Sequence, residues 1–196
     1  MAVTRNGRAV FLDKDGTLVE NVPYNVDPAR IRFTAGAIEA LRLLIDQGYR
    51  LFVVSNQPGV ALGRYSEAAL DAVERHIRDE LKRNGIRLEG FYYCPHLPHG
   101  AIPRYAIACA CRKPASGLLE RAARDHGIEL TRSWMVGDIL DDVEAGRRAR
   151  CRTILIDNGN ETEWNLSGER APEALADDLL AAARIIFASG AGSRAA

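Results

Sequence analysis

The chain has 196 residues, 47% hydrophobic and 27% charged, the composition of one globular domain with its own core and little to spare for a second. Lysine plus arginine and aspartate plus glutamate both number 26, so the net charge is zero and no basic surface for nucleic acid is advertised. No apolar run reaches the length of a membrane span and no signal-peptide apolar region opens the sequence; a cytoplasmic protein with reduced thiols is expected.

Residues 1–8 read as a polar lead-in, and Ala9-Val10-Phe11-Leu12 as a buried strand. Asp13-Lys14-Asp15-Gly16-Thr17 follows: two carboxylates two residues apart, then a turn. The connection from Val19 to Thr34 has no clean period, and so long a connection beside a candidate site suggests a lid. A helix is predicted from Gly36, with Ala37, Ile38, Leu41, Leu44 and Ile45 on one face and Gly48 as its stop. Arg50–Val54 is a second strand, running into Ser55-Asn56-Gln57-Pro58-Gly59, and Ser66 caps a helix with an apolar stripe of Leu70, Val73, Ile77 and Leu81.

Phe91-Tyr92-Tyr93 reads as a third strand entering Cys94-Pro95-His96, followed by an aperiodic loop to Cys109-Ala110-Cys111-Arg112-Lys113-Pro114. Ser116 is placed to cap a helix ending near His126 and Gly127. A fourth strand, Ser133–Val136, ends in Gly137-Asp138 and leads to a helix reaching about Arg150; Arg152–Ile156 is the fifth strand. Residues 160–171 read as loop, about Pro172 to Phe187 as a final helix carrying Leu175, Leu179, Ala183 and Ile186, and 189–196 as a frayed tail. Alternating strands and helices call for an α/β fold, a Rossmann-like parallel sheet flanked by helices, in one domain spanning 1–188.

Four of the five strands therefore end in polar chemistry: Asp13 and Asp15, Ser55 and Asn56, Lys113 beyond the third, and Asp138 with Asp141 and Asp142. Singly, each has a plain reading as turn, cap or solvated charge. Together they suit phosphoryl transfer, which needs a nucleophile, positive charge around spread-out oxygens and an acid for the leaving alkoxide. Several acidic oxygens in one place suit Mg²⁺. Cys-x-His followed by Cys-x-Cys offers four ligands of the kind that close a structural zinc site, whereas a Cys109–Cys111 disulfide would be badly strained. His99 competes with His96 as the nitrogen ligand, and Cys151 reads as core.

Asp13-x-Asp15-Gly16-Thr17, Ser55, Lys113 and Gly137-Asp138-x-x-Asp141-Asp142 resemble the four ordered motifs of the haloacid dehalogenase superfamily of phosphatases, in its members without a large cap domain. The loop Cys94-x-His96 … Cys109-x-Cys111-Arg112-Lys113 is similar to the zinc loop, here about 94–111, of its heptose 1,7-bisphosphate 7-phosphatase family. The resemblance spans roughly residues 8–158 and implies Asp13 as nucleophile and Mg²⁺ ligand, with Asp15 as acid and base whose carbonyl also reaches the metal. It further implies Ser55 and Asn56 on the phosphoryl group, Lys113 neutralising it, Asp138 as the main side-chain Mg²⁺ ligand, and Asp142, ahead of Asp141, as a supporting carboxylate. His96 is favoured over His99 as the zinc ligand. Structural Zn²⁺ would stiffen the loop that carries Arg112 and Lys113.

The implied activity is removal of the 7-phosphate of D-glycero-D-manno-heptose 1,7-bisphosphate in heptose supply for lipopolysaccharide; with no long apolar stretch left over to argue for a dimer, a monomer is expected. Arg64 and Arg112 are placed to meet a second phosphate. Histidinol-phosphate phosphatase shares the scaffold. Polynucleotide 3′-phosphatase shares the catalytic plan but would call for a basic, aromatic-interleaved stripe. A phospho-accepting receiver would have no use for Asp15.

Overall fold

The computed structural model describes residues 7–191. Six strands, β1 (Ala9–Leu12), β2 (Arg50–Asn56), β3 (Leu88–Cys94), β4 (Trp134–Gly137), β5 (Arg152–Ile156) and β6 (Ala174–Ala176), form one sheet in the order β3-β2-β1-β4-β5-β6. Every pairing is parallel. Parallel strands need helical crossovers and are buried on both faces, so β1 and the centre of β2 read as continuous apolar runs. Alternation sorts them: Val10, Leu12, Leu51 and Val53 face α1 (Ala37–Asp46), α2 (Glu67–Arg83) and α5 (Leu179–Ala191). Ala9, Phe11, Phe52 and Val54 face α3 (Gly117–His126) and α4 (Leu140–Arg148).

From β1 the chain winds outward through β2 and β3, then returns to place β4 on the other side of β1. The strand order thus reverses between β1 and β4, and the crevice beyond the carboxyl ends of strands at such a switch point is where open α/β sheets bind ligands. The first and fourth polar motifs flank it.

Three sequence expectations change. The helix predicted from Pro172 is split: Ala174–Ala176 pairs with β5 as an edge strand, Leu175 is exposed, and α5 starts at Leu179. Its cap is Asp178, whose Oδ1 accepts from Ala181 N at 2.7 Å. Sheet pairing overrides the weak strand preference of Ala-Leu-Ala. Ser66 and Ser116 occupy the positions before α2 and α3, but neither hydroxyl caps the backbone, and Ser116 Oγ donates to Glu120 Oε1 at 2.7 Å. Helix α5 also runs through Ser189, where a frayed tail was expected; residues 192–196 of that tail, and 1–6 of the polar lead-in, lie outside the described residues. The 19–34 connection is rooted at both ends, by Glu20 N donating to Arg32 O at 2.8 Å and by buried Val19 and Ile31. Among the described residues, no helix is long and apolar enough to cross a membrane.

Candidate active site

Beyond β1 the chain turns tightly: Leu18 N and Val19 N both donate to Lys14 O, and Gly16 N donates to Val19 O at 2.7 Å. Gly16 has φ of +87°, and a Cβ there would lie 2.0 Å from Asp138 Oδ2, so both backbone shape and crowding exclude a side chain. The turn brings Asp13 and Asp15 to one edge of the sheet. Asp13 N donates to Val136 O at 3.0 Å, tying the first motif to β4.

Lys113 enters this edge from the loop after β3, and Asn56 holds it there. Asn56 Nδ2 donates to Lys113 O at 2.9 Å and Lys113 N to Asn56 Oδ1 at 3.0 Å. The Lys113 ammonium is buried against Asp13 Oδ1 and Asp142 Oδ1, both at 2.5 Å, and donates to Val54 O at 2.9 Å. Burial alone would lower its pKa, but the two carboxylates outweigh that and raise it. Asp142 lies at the start of α4 with its side chain fully buried, whereas Asp141 faces Arg170 at 3.4 Å. Of the two carboxylates, only Asp142 meets Lys113.

Asp138 completes the edge. Its Oδ1 accepts from Thr17 Oγ1 at 3.1 Å and its Oδ2 from Asn160 Nδ2 at 2.7 Å. Burial and then the Asp13 charge push its pKa up to about 7, against the pull of those two hydrogen bonds. Asp142 is pushed up to about 8, by burial first and then by Asp13 and Asp138, with Lys113 opposing. Asp13, Asp138 and Asp142 offer oxygens that lie within 4.8 Å of one another. Three carboxylates face one ammonium, an excess of negative charge on hard oxygen donors that fits a divalent cation such as Mg²⁺.

This arrangement makes stability pH-dependent. Asp138 and Asp142 hold protons in the folded chain well above their ordinary value of 3.8, where the unfolded chain has released them. Their contribution is therefore complete below about pH 4 and lost as the pH rises through about 7 to 8. Urea unfolding of magnesium-free protein is expected to show lower stability at pH 8 than at pH 5, and saturating Mg²⁺ to remove most of that difference.

Asp15 is gripped at both oxygens. Lys14 Nζ donates to Oδ1 at 2.6 Å and Gln57 Nε2 to Oδ2 at 3.1 Å. Its pKa is raised, by burial first and by Asp13, against Lys14 and Gln57. Ser55 Oγ lies beside it, accepting from the same Gln57 Nε2 at 2.9 Å. A cavity of about 230 Å³ opens from Asp15 between the 19–34 connection and the loop after β2, lined by Tyr24, Asn25, Asn56, Gln57 and Tyr65.

The predicted substrate contacts fare unevenly. Asn56, expected on the phosphoryl group, engages the Lys113 backbone with both ends of its side-chain amide and so clasps that loop. Arg64 is exposed with its guanidinium 4.2 Å above the Tyr24 ring, at the rim of the cavity. Arg112 Nη1 reaches His96 O at 3.4 Å, back toward the cysteine loop.

In that loop Cys94, His96, Cys109 and Cys111 converge, with His99 outside the group. The sulfur–sulfur distances are 3.1, 3.2 and 3.5 Å, and His96 Nδ1 lies 3.4 and 3.6 Å from Cys111 and Cys94. A tetrahedron drawn around zinc with ordinary bond lengths has edges of about 3.8 Å between sulfurs and about 3.6 Å from sulfur to nitrogen, so the four ligand atoms lie at, or slightly inside, the spacing a bound ion would set. All the cysteines are free thiols, and Cys151 is buried in the core apart from this group.

Sequence reasoning passed over Lys14, Gln57, Tyr65 and Asn160. The signal for Asn160 was present, since Asp157-Asn158-Gly159-Asn160 gives the fifth strand a polar end too. Asn158 Nδ2 also donates to Gly16 O at 2.7 Å.

A family model described as HAD-hydrolase-like matches residues 110–182. The D-glycero-alpha-D-manno-heptose-1,7-bisphosphate 7-phosphatase of Photorhabdus laumondii is 34% identical over 156 residues, 79% of this chain and 85% of that one. The corresponding beta-named phosphatase of Rhodopseudomonas palustris is 38% identical over 141 residues, 72% of this chain and 78% of that one. The crystal structure of D,D-heptose 1,7-bisphosphate phosphatase from B. bronchiseptica, complexed with magnesium and phosphate, matches with a TM-score of 0.75 at 25% identity, covering 93% of this chain and 99% of that one. With a shared fold along nearly its whole length and identities above 30%, the chain belongs to the haloacid dehalogenase-like hydrolases, in the family of the heptose 1,7-bisphosphate phosphatases.

Proposed function

We propose that this protein is a Mg²⁺-dependent phosphatase that removes the 7-phosphate of D-glycero-D-manno-heptose 1,7-bisphosphate through an aspartyl phosphate. The observation that carries the chemistry is the meeting of Asp13 with Lys113, Asp138 and Asp142 beside a separately held Asp15. The names of the relatives support the substrate, and both anomers occur among them.

An Asp13 oxygen attacks phosphorus, and the bond to the sugar oxygen breaks with its electron pair staying on that oxygen. Asp15, protonated, gives its proton to the departing oxygen. In the second half Asp15, now a carboxylate, takes a proton from water as the water oxygen attacks phosphorus. The bond from phosphorus to Asp13 breaks, and Asp13 is regenerated along with inorganic phosphate. Lys113 and Ser55 stabilise the transferring oxygens. Bound Mg²⁺, held by Asp13, Asp138 and the Asp15 carbonyl, would supply positive charge to the phosphoryl oxygens. Asp142 keeps Lys113 charged and in place. Arg64 and Arg112 are the candidates for the distal phosphate.

Cys94, His96, Cys109 and Cys111 would hold a structural Zn²⁺ that stiffens the loop delivering Arg112 and Lys113. Cys109→Ala is expected to lower the zinc content from one per chain toward zero and to speed proteolysis within residues 95–111; full zinc by metal analysis would refute the assignment. The protein would act in the cytoplasm as a monomeric domain on a small sugar phosphate, without nucleic acid or membrane partners.

Phosphate release with Mg²⁺ from a panel tests the substrate: heptose 1,7-bisphosphate in both anomers, fructose 1,6-bisphosphate, histidinol phosphate and a 3′-phosphorylated oligonucleotide. Preference for one heptose anomer is the expected result, and preference for any other member overturns the substrate assignment while leaving the mechanism.

A further inference from the structure

Every polar atom of the Gln57 side chain is committed. Its Nε2 donates to Asp15 Oδ2 at 3.1 Å and to Ser55 Oγ at 2.9 Å, and its Oε1 accepts from Tyr65 Oη at 2.7 Å. An amide turned end for end would aim its oxygen at the Asp15 carboxylate, acceptor against acceptor. In the observed arrangement each donor meets an acceptor, and the Tyr65 hydroxyl holds the oxygen end away from Asp15.

The local backbone is built to bring Tyr65 back over this amide. Gln57 N is anchored to Cys94 O at 2.8 Å, and Arg64 N donates to Gly59 O at 2.8 Å, closing the turn between them. A Cβ at Gly59 would lie 2.3 Å from Tyr65 Cε1, so the ring occupies the space that the missing side chain leaves. Gln57 itself is 4% exposed, which keeps water from competing for its bonds. With Lys14 on the other oxygen at 2.6 Å, the plane of the Asp15 carboxyl is fixed from two sides.

We infer that Gln57 and Tyr65 are positioning residues for proton transfer by Asp15: Tyr65 orients the Gln57 amide, and the amide orients the carboxyl group that faces the departing ester oxygen. The inference rests on the proposed acid and base role of Asp15. Orientation of this kind matters in proportion to how much protonation the leaving group needs. An alkoxide leaves slowly unless it is protonated, whereas 4-nitrophenolate leaves unaided.

The test compares kcat/KM, which reports formation of the aspartyl phosphate, on heptose 1,7-bisphosphate and on 4-nitrophenyl phosphate. Tyr65→Phe removes one hydroxyl and keeps the ring. It is expected to lower kcat/KM about 10-fold on the sugar ester and by less than about 2-fold on the aryl ester. In a Gln57→Leu background, which should show the same selective loss more strongly, adding Tyr65→Phe is expected to have no further effect. Equal losses on both esters, no loss on either, or a Tyr65→Phe loss that persists beside Gln57→Leu would overturn the inference; the last would place Tyr65 on the substrate directly. Asp15→Asn is measured in parallel. Its retention of sugar-ester turnover would remove the acid and base assignment and the inference together, whereas its inactivity beside an unselective Tyr65→Phe would remove the inference alone.

Discussion

Asp13→Asn is expected to lower kcat by at least about 10³-fold, some 4 kcal/mol of transition-state stabilisation, while leaving the protein folded. The amide has nearly the shape of the carboxyl group but no anionic oxygen to attack phosphorus. Stability should survive because Asp13 sits among too many negative groups: its charge helps raise the pKa of both Asp138 and Asp142. Losing the attraction to Lys113 at 2.5 Å is set against relief of that repulsion. Acid quenching of the wild type with labelled substrate should trap phosphate on the chain, and the variant should trap none. A variant with more than a tenth of wild-type turnover would exclude Asp13 as nucleophile.

The second large effect concerns Lys113. Its ammonium is the counter-charge for Asp13 and Asp142 in a place that water barely reaches, with Lys113 only 1% exposed. Breaking such a pair by removing one partner leaves carboxylates buried without compensation, and Lys113→Met is expected to cost about 3–5 kcal/mol in magnesium-free buffer at a pH above the raised pKa of Asp142. Loss of the positive charge beside the phosphoryl group should also lower kcat by about 10²-fold or more. Pairing the change with Asp142→Asn separates the two effects. The double variant should regain most of the stability, because one orphaned charge is gone, and none of the activity. Urea titration and steady-state kinetics on both proteins check this; a double variant as unstable as the single would mean that Lys113 stabilises through packing of its chain.

These two residues were legible in the sequence for different reasons. Asp13 follows an apolar strand directly, so its place at the sheet edge came from local pattern alone. Lys113 lies far from any strand in a loop without period, and only its order among the other motifs marked it. Asp142 was separable from Asp141 only in three dimensions, since the turn of α4 sends one to Lys113 and the other to Arg170. Asn56 was found as a site residue, but the contacts of its side-chain amide were not legible, because its partners are backbone atoms of a residue 57 positions away. Gln57 and Lys14 carry no pattern of their own: their importance comes from burial beside a carboxylate, which sequence spacing does not express. The fold was readable in its five core strands. The sixth was missed because Ala-Leu-Ala has little strand preference and owes its state to the neighbouring edge of β5.

The cavity beside Asp15 is walled by the connection after β1 and the loop after β2, while Asp13 and Asp138 stand directly at the ends of β1 and β4, and Lys113 is clasped to them from the loop after β3. Inheritance can therefore act on the two parts separately. A duplicated copy of this gene could replace Tyr24 or Asn25 and acquire a different ester without disturbing the aspartates and lysine gathered at the sheet edge. Kinship judged by the motifs will then run deeper than kinship in diet, and the rim residues are the better record of what each descendant consumes.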